Sequence, residues 1–182
     1  ILWFGWVGFN GGSTLAADVG IGKILVNTHL GACAGAVGAA VFSVMLGRPV
    51  LLTGTVNASI GGLVAITAGC ASMEPGHAVL TGAIAGVIVS VGPALLTKMR
   101  LDDVVDAVSV HAFCGVWGTL AAGLFYSGDL FNPRRIAVQA IGIEGVNGFR
   151  IELFYHAETP KFSLHAIPIA VVVAILGGEL AL

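Results

Sequence analysis

The sequence predicts an all-α polytopic membrane protein, a bundle of about five to six transmembrane helices. Hydrophobic residues make up 57% of the 182 residues, charged residues only 10%, and the mean hydropathy is +0.97. A soluble domain is about one quarter charged, so this chain has too few charges to cover a surface that faces water. Its apolar residues form long repeated runs, and the 27 glycines favour close contact between helices in a membrane.

The first two apolar runs are Ile1–Ala17 and Ile24–Leu46. The first is short for a span, since crossing a bilayer takes about 20 residues, and it breaks at Asn10-Gly11-Gly12-Ser13. The sequence opens inside this run, without a charged leader or a start methionine, so we expect a fragment whose first span continues upstream. In the second run, Gly31 and Gly35 form a small-xxx-small pair that predicts contact with another helix.

The next two runs, Leu51–Ala71 and Ala78–Thr97, also contain no charged residue. Asn57 and Ser59 lie within the third run, where hydrogen bonds between helices and contact with a substrate are both possible roles; the first is preferred. Gly82 and Gly86 form a second small-residue pair in the fourth run. His77 follows a turn at the membrane edge and is interpreted as a solvated interfacial residue.

The fifth run, Val104–Tyr126, begins within a cluster of three aspartates, Asp102, Asp103 and Asp106, and beyond them its one side chain that titrates near neutral pH is His111. A helix that rises about 1.5 Å per residue carries His111 roughly 12 Å past Asp103, well inside apolar surroundings. A titratable side chain in a membrane helix is costly and is by default a functional hypothesis. The alternative is a simple hydrogen bond to a neighbouring helix. Asp102, Asp103 and Asp106 suit the N-terminus of a helix, where carboxylates satisfy free N–H groups, and are interpreted as structural.

The pattern changes after residue 143. Residues 136–143 are apolar, residues 144–161 contain frequent charges, and residues 162–182 are again apolar. This last run is either one more span or a short buried helix. We therefore divide the chain into 1–143, the main membrane domain, and 144–182, a divergent polar segment with a terminal apolar helix. The distribution of positive charges does not settle the orientation in the membrane.

Several classes of function find no support in the sequence. A net charge of −2 and the lack of a basic patch give no reason to expect nucleic-acid binding. No phosphate-binding loop, no metal-ligand spacing and no nucleophile beside a base is present, so we predict neither an enzyme nor a cofactor or metal site. The three cysteines all lie in apolar runs and are interpreted as packing residues; they are Cys33, Cys70 and Cys114.

Three motifs together are more specific than the count of helices. In order, they read G-W-V-G-F-N-G-G-S, G-G-L-V-A-I-T-A-G-C and D-D-V-V-D-A-V-S-V-H. With Asn27-Thr28 early in the second run, they resemble the Amt branch of the ammonium transporter (Amt/Rh) family. The resemblance covers residues 1–143 and implies the second half of an eleven-helix fold built from two inverted repeats. It also implies a homotrimer in the plasma membrane with one narrow pore per subunit.

The resemblance assigns roles to individual residues. Phe9 matches the inner phenylalanine of the stacked pair that gates the outer pore mouth, and Ser13 matches the serine of the external ammonium recruitment site. His111 matches the second of the paired pore histidines, whose partner lies outside this chain. Asp103 and Asp106 match acidic positions at the cytoplasmic start of that helix. Asn10 is interpreted as a residue of a turn or helix end, and Asn27 as structural.

The function implied is transport of ammonium or ammonia across the bilayer, serving nitrogen uptake. Aromatic faces and a hydroxyl at the pore mouth can replace part of the ion's water shell, and a deeper imidazole can accept a hydrogen bond or pass a proton. A cytoplasmic nitrogen-regulatory protein is a possible partner. Two alternatives stay open: an ammonium-binding membrane sensor module, or a truncated remnant without function.

Overall fold

The computed structural model describes residues 1–15 and 17–144, and all regular secondary structure in them is helical. This confirms the all-α fold class. Of the predicted segment 144–182, all but the first residue lies outside the described residues, and the division at residue 143 stays a prediction. The helices are α1 (Leu2–Gly12), α2 (Ile21–Met45), α3 (Leu52–Thr67), α4 (Pro75–Lys98), a π-helical segment (Val108–Phe113) that continues into α5 (Cys114–Leu124), and α6 (Pro133–Glu144).

Two helices in the described part of the chain are long and apolar enough to cross a membrane. They are α2, with 25 residues, and α4, with 24. The helix α3 has 16 residues, and the helix formed by the π segment and α5 covers Val108–Leu124. Each of the five predicted runs thus contains a helix, but the helices in the first, third and fifth runs are shorter than the runs themselves.

The first helix ends at Gly12, within the break at Asn10-Gly11-Gly12-Ser13 that the sequence predicts, so only the first part of the run Ile1–Ala17 is helical. Two glycines in succession weaken the last turn, because glycine loses more backbone entropy than other residues on entering a helix. The chain then leaves the helical path, and Leu15 adopts a left-handed conformation with φ of 55°. Residues 13–15 therefore form a connection to α2 instead of continuing α1.

The fifth helix begins at Val108, four residues later than predicted. Asp106 has a φ of 58°, and a residue in this left-handed region interrupts a right-handed helix. Asp103, placed before this break, accepts hydrogen bonds from the first N–H groups of the new helix. The aspartate cluster thus forms the approach to the helix and its N-terminal cap.

Glycines bring α2, α3 and α4 into backbone contact at the centre of the bundle. A Cβ atom at Gly82 of α4 would collide with the carbonyl oxygen of Gly31 in α2, and one at Gly86 would collide with that of Gly35. Gly62 of α3 lies equally close to the Gly31 carbonyl. The two predicted small-residue pairs therefore face each other across one interface, as expected for helices that pack through small residues.

Two hydrophobic clusters flank these backbone contacts. One contains Ile24, Ile66, Met73 and Phe125, which join the first turns of α2 to the last turns of α3 and α5. The other groups apolar side chains of α2, α3, α4 and the fifth helix; its buried members are Ala39, Ala58, Val64, Ala65, Ala85, Val89, Val110 and Cys114.

All three thiols are free, but they are not equivalent. Cys70 and Cys114 are buried, in agreement with the packing role predicted for them. Cys33 is exposed on the surface of α2. The prediction that all three are packing residues therefore does not hold for Cys33 within this chain.

Candidate functional site

His111 lies on the π-helical segment Val108–Phe113, at the point where the fifth helix enters the bundle. π-helical turns are rare and occur frequently at functional sites. The His111 side chain is half-buried and makes no hydrogen bond with any described residue. Its imidazole is therefore available to a ligand or to a part of the protein outside the described residues.

The residues beside His111 fix the rotation of this segment. Ser109 is fully buried, and its Cβ lies 2.7 Å from the position that a Cβ atom on Gly92 of α4 would occupy. Val110 belongs to the second hydrophobic cluster. Because a helix completes a turn in about 3.6 residues, His111 is about half a turn from Ser109. The imidazole consequently points away from α4.

Asp103 caps the helix that carries His111. One carboxylate oxygen, Oδ1, accepts a hydrogen bond of 2.9 Å from the N–H of Ala107, and Oδ2 accepts one of 2.8 Å from the N–H of Val108. A helix leaves its first N–H groups without partners in the helix itself, and a negative charge there also complements the helix dipole. Asp103 therefore provides hydrogen-bond acceptors for the first N–H groups of the helix and stabilises its start.

Asp106 connects the same helix start to α3. Asn57 of α3 donates a hydrogen bond of 3.1 Å from Nδ2 to Oδ2 of Asp106, and Nδ2 also lies 3.4 Å from the carbonyl oxygen of Val105. The carbonyl oxygen of Asp106 accepts the N–H of Val110 at 2.9 Å. Asn57 thus makes hydrogen bonds between separate elements, as the preferred interpretation of this residue predicts. The same interpretation does not hold for Ser59, whose Oγ is buried without a partner among the described residues.

Phe9 lies on α1, which is held to the bundle by hydrogen bonds from its indole and amide groups. Phe9 is half-buried, and its ring meets that of Trp6 edge to face at 6.3 Å. The Trp6 Nε1–H donates to Oγ1 of Thr67 at 2.8 Å, and the Trp3 Nε1–H donates to Nδ1 of His29 at 2.8 Å. The indole groups orient α1, and with it the ring of Phe9.

Ser13 follows directly after α1 and is exposed. Its hydroxyl donates a hydrogen bond of 2.6 Å to the carbonyl oxygen of Phe9, and its N–H bonds the same oxygen at 3.1 Å. Because the hydroxyl proton is used in this way, the oxygen presents lone pairs to the surroundings. The chain geometry therefore places an exposed hydrogen-bond acceptor beside the backbone carbonyl of Phe9.

Asn10 and Asn27 are both buried and both hold helices together. Asn10 is 3% exposed and donates from Nδ2 to Oγ1 of Thr28 at 3.0 Å. It lies in the last turn of α1, at the helix end where it was predicted. Asn27 is fully buried and donates to the carbonyl oxygens of Cys70 at 2.8 Å and Met73 at 2.9 Å. Asn27 therefore fixes the connection between α3 and α4.

The interpretation of His77 as a solvated residue is only partly correct, because the residue is half-buried. Its ring stacks on that of Phe125, with centroids 5.0 Å apart and an angle of 2° between the planes, and its Nδ1 is buried without a partner among the described residues. The two residues are 48 positions apart, and no local pattern connects them. Sequence reasoning had no signal for this contact, which depends on how the end of α5 meets the start of α4.

A metal centre finds no support in the described part of the chain. Within residues 1–15 and 17–144, no group of three or more His, Cys, Asp or Glu side chains is arranged to hold a metal ion. The polar groups of the candidate site are instead single hydrogen-bonding side chains on apolar helices. Such an arrangement suits a small solute that is bound weakly along a path.

Comparison with known proteins identifies relatives of this chain. Residues 1–177 match the model of the Ammonium Transporter Family. Ammonium transporter Amt2 of Archaeoglobus fulgidus is 49% identical over 131 residues, which are 71% of this chain and 28% of that relative. The chain therefore spans less than one third of that relative's length.

Solved structures share the fold. A structure titled "Sensor Amt Protein" superposes with a TM-score of 0.70 and 29% identity, covering 98% of this chain and 42% of that one. Saccharomyces cerevisiae Mep2 superposes with a TM-score of 0.74 and 26% identity, covering 84% of this chain and 39% of that one. The arrangement of helices described above is thus also found within longer proteins.

Proposed function

The chain belongs to the ammonium transporter family, and on that premise we propose that it forms part of a channel-like transporter for ammonium and ammonia. The observation that carries the proposal is the position of His111, a half-buried imidazole on a π-helical turn with no hydrogen-bond partner among the described residues. An unpaired titratable group inside an apolar bundle has a high energetic cost. A passing solute that binds this group would offset part of that cost.

The chemistry of the solute explains why an imidazole is useful there. Ammonium is a hydrated cation, and moving it whole into a medium of low dielectric constant is expensive. Imidazole titrates close to neutral pH and can accept a hydrogen bond or pass a proton. We propose that His111 is half of a proton relay, so that ammonia and a separately relayed proton cross where the bare cation would not.

The pore mouth is proposed at Phe9 and Ser13. The Ser13 oxygen is exposed and its proton is bonded to the Phe9 carbonyl, which leaves lone pairs for an incoming N–H group. The ring of Phe9 offers a π face to a cation. Together the two residues replace part of the water shell of ammonium before it reaches His111, with Phe9 as one part of a gate.

The assembly proposed is larger than this chain. The chain spans 28% of Amt2 and 42% of the "Sensor Amt Protein", and we propose that it is the second of two inverted repeats. The other repeat would supply the partner of His111 and the second half of the pore. The complete protein is proposed to be a homotrimer in the plasma membrane that serves nitrogen uptake, with a nitrogen-regulatory protein as a possible cytoplasmic partner.

The test is the replacement H111A in the complete protein that contains these residues, reconstituted in liposomes. We expect selective ammonium flux to fall by at least tenfold, which corresponds to about 1.4 kcal/mol in the transport barrier. A matched control is H77F, which changes another half-buried histidine but keeps a ring to stack on Phe125. Unchanged and still selective flux in H111A, with H77F also normal, would contradict the relay.

A membrane sensor is the second candidate function. The observation that favours it is the superposition with the "Sensor Amt Protein", which covers 98% of this chain. A sensor would bind ammonium at the same surface without releasing it on the other side. Saturable binding of ammonium to the complete protein, without flux above that of empty liposomes, would support the sensor over the transporter.

A further inference from the structure

We propose that Asn57 is a positioning residue for His111 and acts through Asp106. The inference rests on the proposed function, because it takes His111 as the residue that meets the solute. Asn57 lies on α3, 54 positions before His111 in the sequence. It reaches the helix of His111 only at its start, through the hydrogen bond to Asp106.

Helix α3 is a fixed reference in the bundle. Gly62 is in backbone contact with Gly31 of α2, and a Cβ atom at Gly61 would lie 2.6 Å from Cγ2 of Val89 in α4. A helix packed this closely on two neighbours has little freedom to shift. Any group that is bonded to Asn57 is therefore held at a defined place relative to the whole bundle.

Asp106 determines where the helix of His111 begins. Its φ of 58° is unusual for a residue with a side chain. Aspartate tolerates this conformation better than most residues, because its short side chain can form a local hydrogen bond. Here the Asp106 side chain accepts a hydrogen bond from Asn57 instead. This contact with α3 stabilises the left-handed conformation of Asp106.

The break at Asp106 is connected to the π-helical turn by hydrogen bonds at the start of the helix. The carbonyl oxygen of Asp106 accepts the N–H of Val110, while the Asp103 carboxylate accepts those of Ala107 and Val108. If residue 106 returned to a right-handed conformation, the helix could begin earlier and in another register. A change in register by one residue would rotate His111 by about 100°. The bond from Asn57 to Asp106 therefore decides which way the imidazole faces.

The packing of Ser109 against α4 also opposes such a rotation of the π-helical segment. Ser109 is 0% exposed and its Cβ lies against the open side of Gly92. Its Oγ is buried and has no hydrogen-bond partner among the described residues. The hydroxyl thus adds no polar bond that would hold the register. The polar restraint on this turn comes from Asp103 and from the pair of Asn57 and Asp106.

The experiment measures ammonium flux by the complete protein, with N57A as the principal variant. A displacement of about 1 Å at a reacting group can cost up to about a hundredfold in rate, and we expect N57A to lower flux by at least tenfold. The matched control is T55A on the same helix, because among the described residues the Thr55 hydroxyl bonds only the Leu51 carbonyl of its own chain segment. T55A is expected to transport like the wild type.

Two further variants separate positioning from a general loss of folding. The exchange N57D together with D106N reverses donor and acceptor and keeps a hydrogen bond, and asparagine also tolerates a positive φ. We expect the exchange to restore most of the flux lost in N57A. In a background with H111A, N57A is expected to cause no additional loss, since both changes act on the same group. An equal further loss in that background would overturn the proposal, as would normal flux in N57A alone.

A chemical-labelling experiment, which needs no transport, tests the positioning of residue 111 separately from the proposed function. H111C is made in a background where Cys33, Cys70 and Cys114 are replaced by alanine, and its reaction with a small methanethiosulfonate reagent is timed with and without N57A. We expect the rate to change by at least fivefold, because the side chain at position 111 then faces a different environment. Equal rates would overturn the positioning role. If H111A transports like the wild type but N57A still changes the labelling rate, the proton relay is rejected and the positioning role of Asn57 is kept.

Discussion

Replacing Gly82 with alanine is expected to force α2 and α4 apart, because the two helices touch there through their backbones. A Cβ atom at position 82 would lie 2.9 Å from both Cα and C of Gly31, and closer still to its carbonyl oxygen. Ordinary van der Waals contact begins at 3.4 Å, so the carbon contacts alone are 0.5 Å too short. Rotation of a side chain cannot relieve this overlap, since the three nearest atoms all belong to the backbone of Gly31.

The expected cost follows from overpacking in a tightly packed interior. Inserting a methyl group where no space exists typically costs about 1–3 kcal/mol, while alanine gains up to about 1 kcal/mol over glycine in a helix. We therefore expect G82A to lower the free energy of unfolding by about 1–2 kcal/mol. The matched control is G76A on the same helix, where a Cβ atom would meet nothing within 4 Å and stability should be unchanged or slightly increased.

The assay is an unfolding titration of the purified protein in mixed micelles, with tryptophan fluorescence as the signal. Trp117 is a local reporter, because its Nε1–H donates to the carbonyl oxygen of Thr81 at 3.0 Å, next to the substituted position. The midpoint for G82A should fall below that of the wild type, and that for G76A should not. Equal midpoints for the two variants would refute the claim that the helices are in backbone contact at Gly82.

Three further predictions concern polar groups. N27A should lower the free energy of unfolding by about 1–3 kcal/mol, since two buried carbonyl groups between α3 and α4 lose their donor; the same titration checks it. D103A should cost about 0.5–2 kcal/mol through loss of the helix cap, and circular dichroism should report reduced helix content. K23M should change stability by less than about 1 kcal/mol, because Lys23 and Glu74 form an ion pair with side chains 34% and 56% exposed; a larger loss in the same titration would contradict this estimate.

The parts of the fold that could be predicted depend on local patterns. Glycines spaced four apart in an uncharged run predict a surface for close helix contact, and Gly31 with Gly35 meets Gly82 with Gly86 as that pattern indicates. The bounds of α2 and α4 follow from the lengths of their apolar runs. The shortened fifth helix could not be predicted in this way, because the left-handed conformation of Asp106 has no signature in hydrophobicity.

The π-helical turn at His111 was not predicted for a related reason. Over six residues, the periodicities of α- and π-helices are too similar to distinguish in a run that is apolar on every side. The contact of His77 with Phe125 depends on tertiary packing between distant segments. The assignments of His111, Phe9 and Ser13 came from resemblance to a family and remain proposals about function, while the structure supplies their surroundings.

The most direct test is ammonium uptake by liposomes that contain the complete protein carrying these residues. We expect saturable uptake that exceeds that of empty liposomes and discriminates against sodium and potassium ions. Uptake should be sensitive to changes at Phe9 and Ser13 as well as at His111. Uptake equal to that of empty liposomes, from protein that is folded and still binds ammonium, would contradict transport through this bundle and favour a sensor.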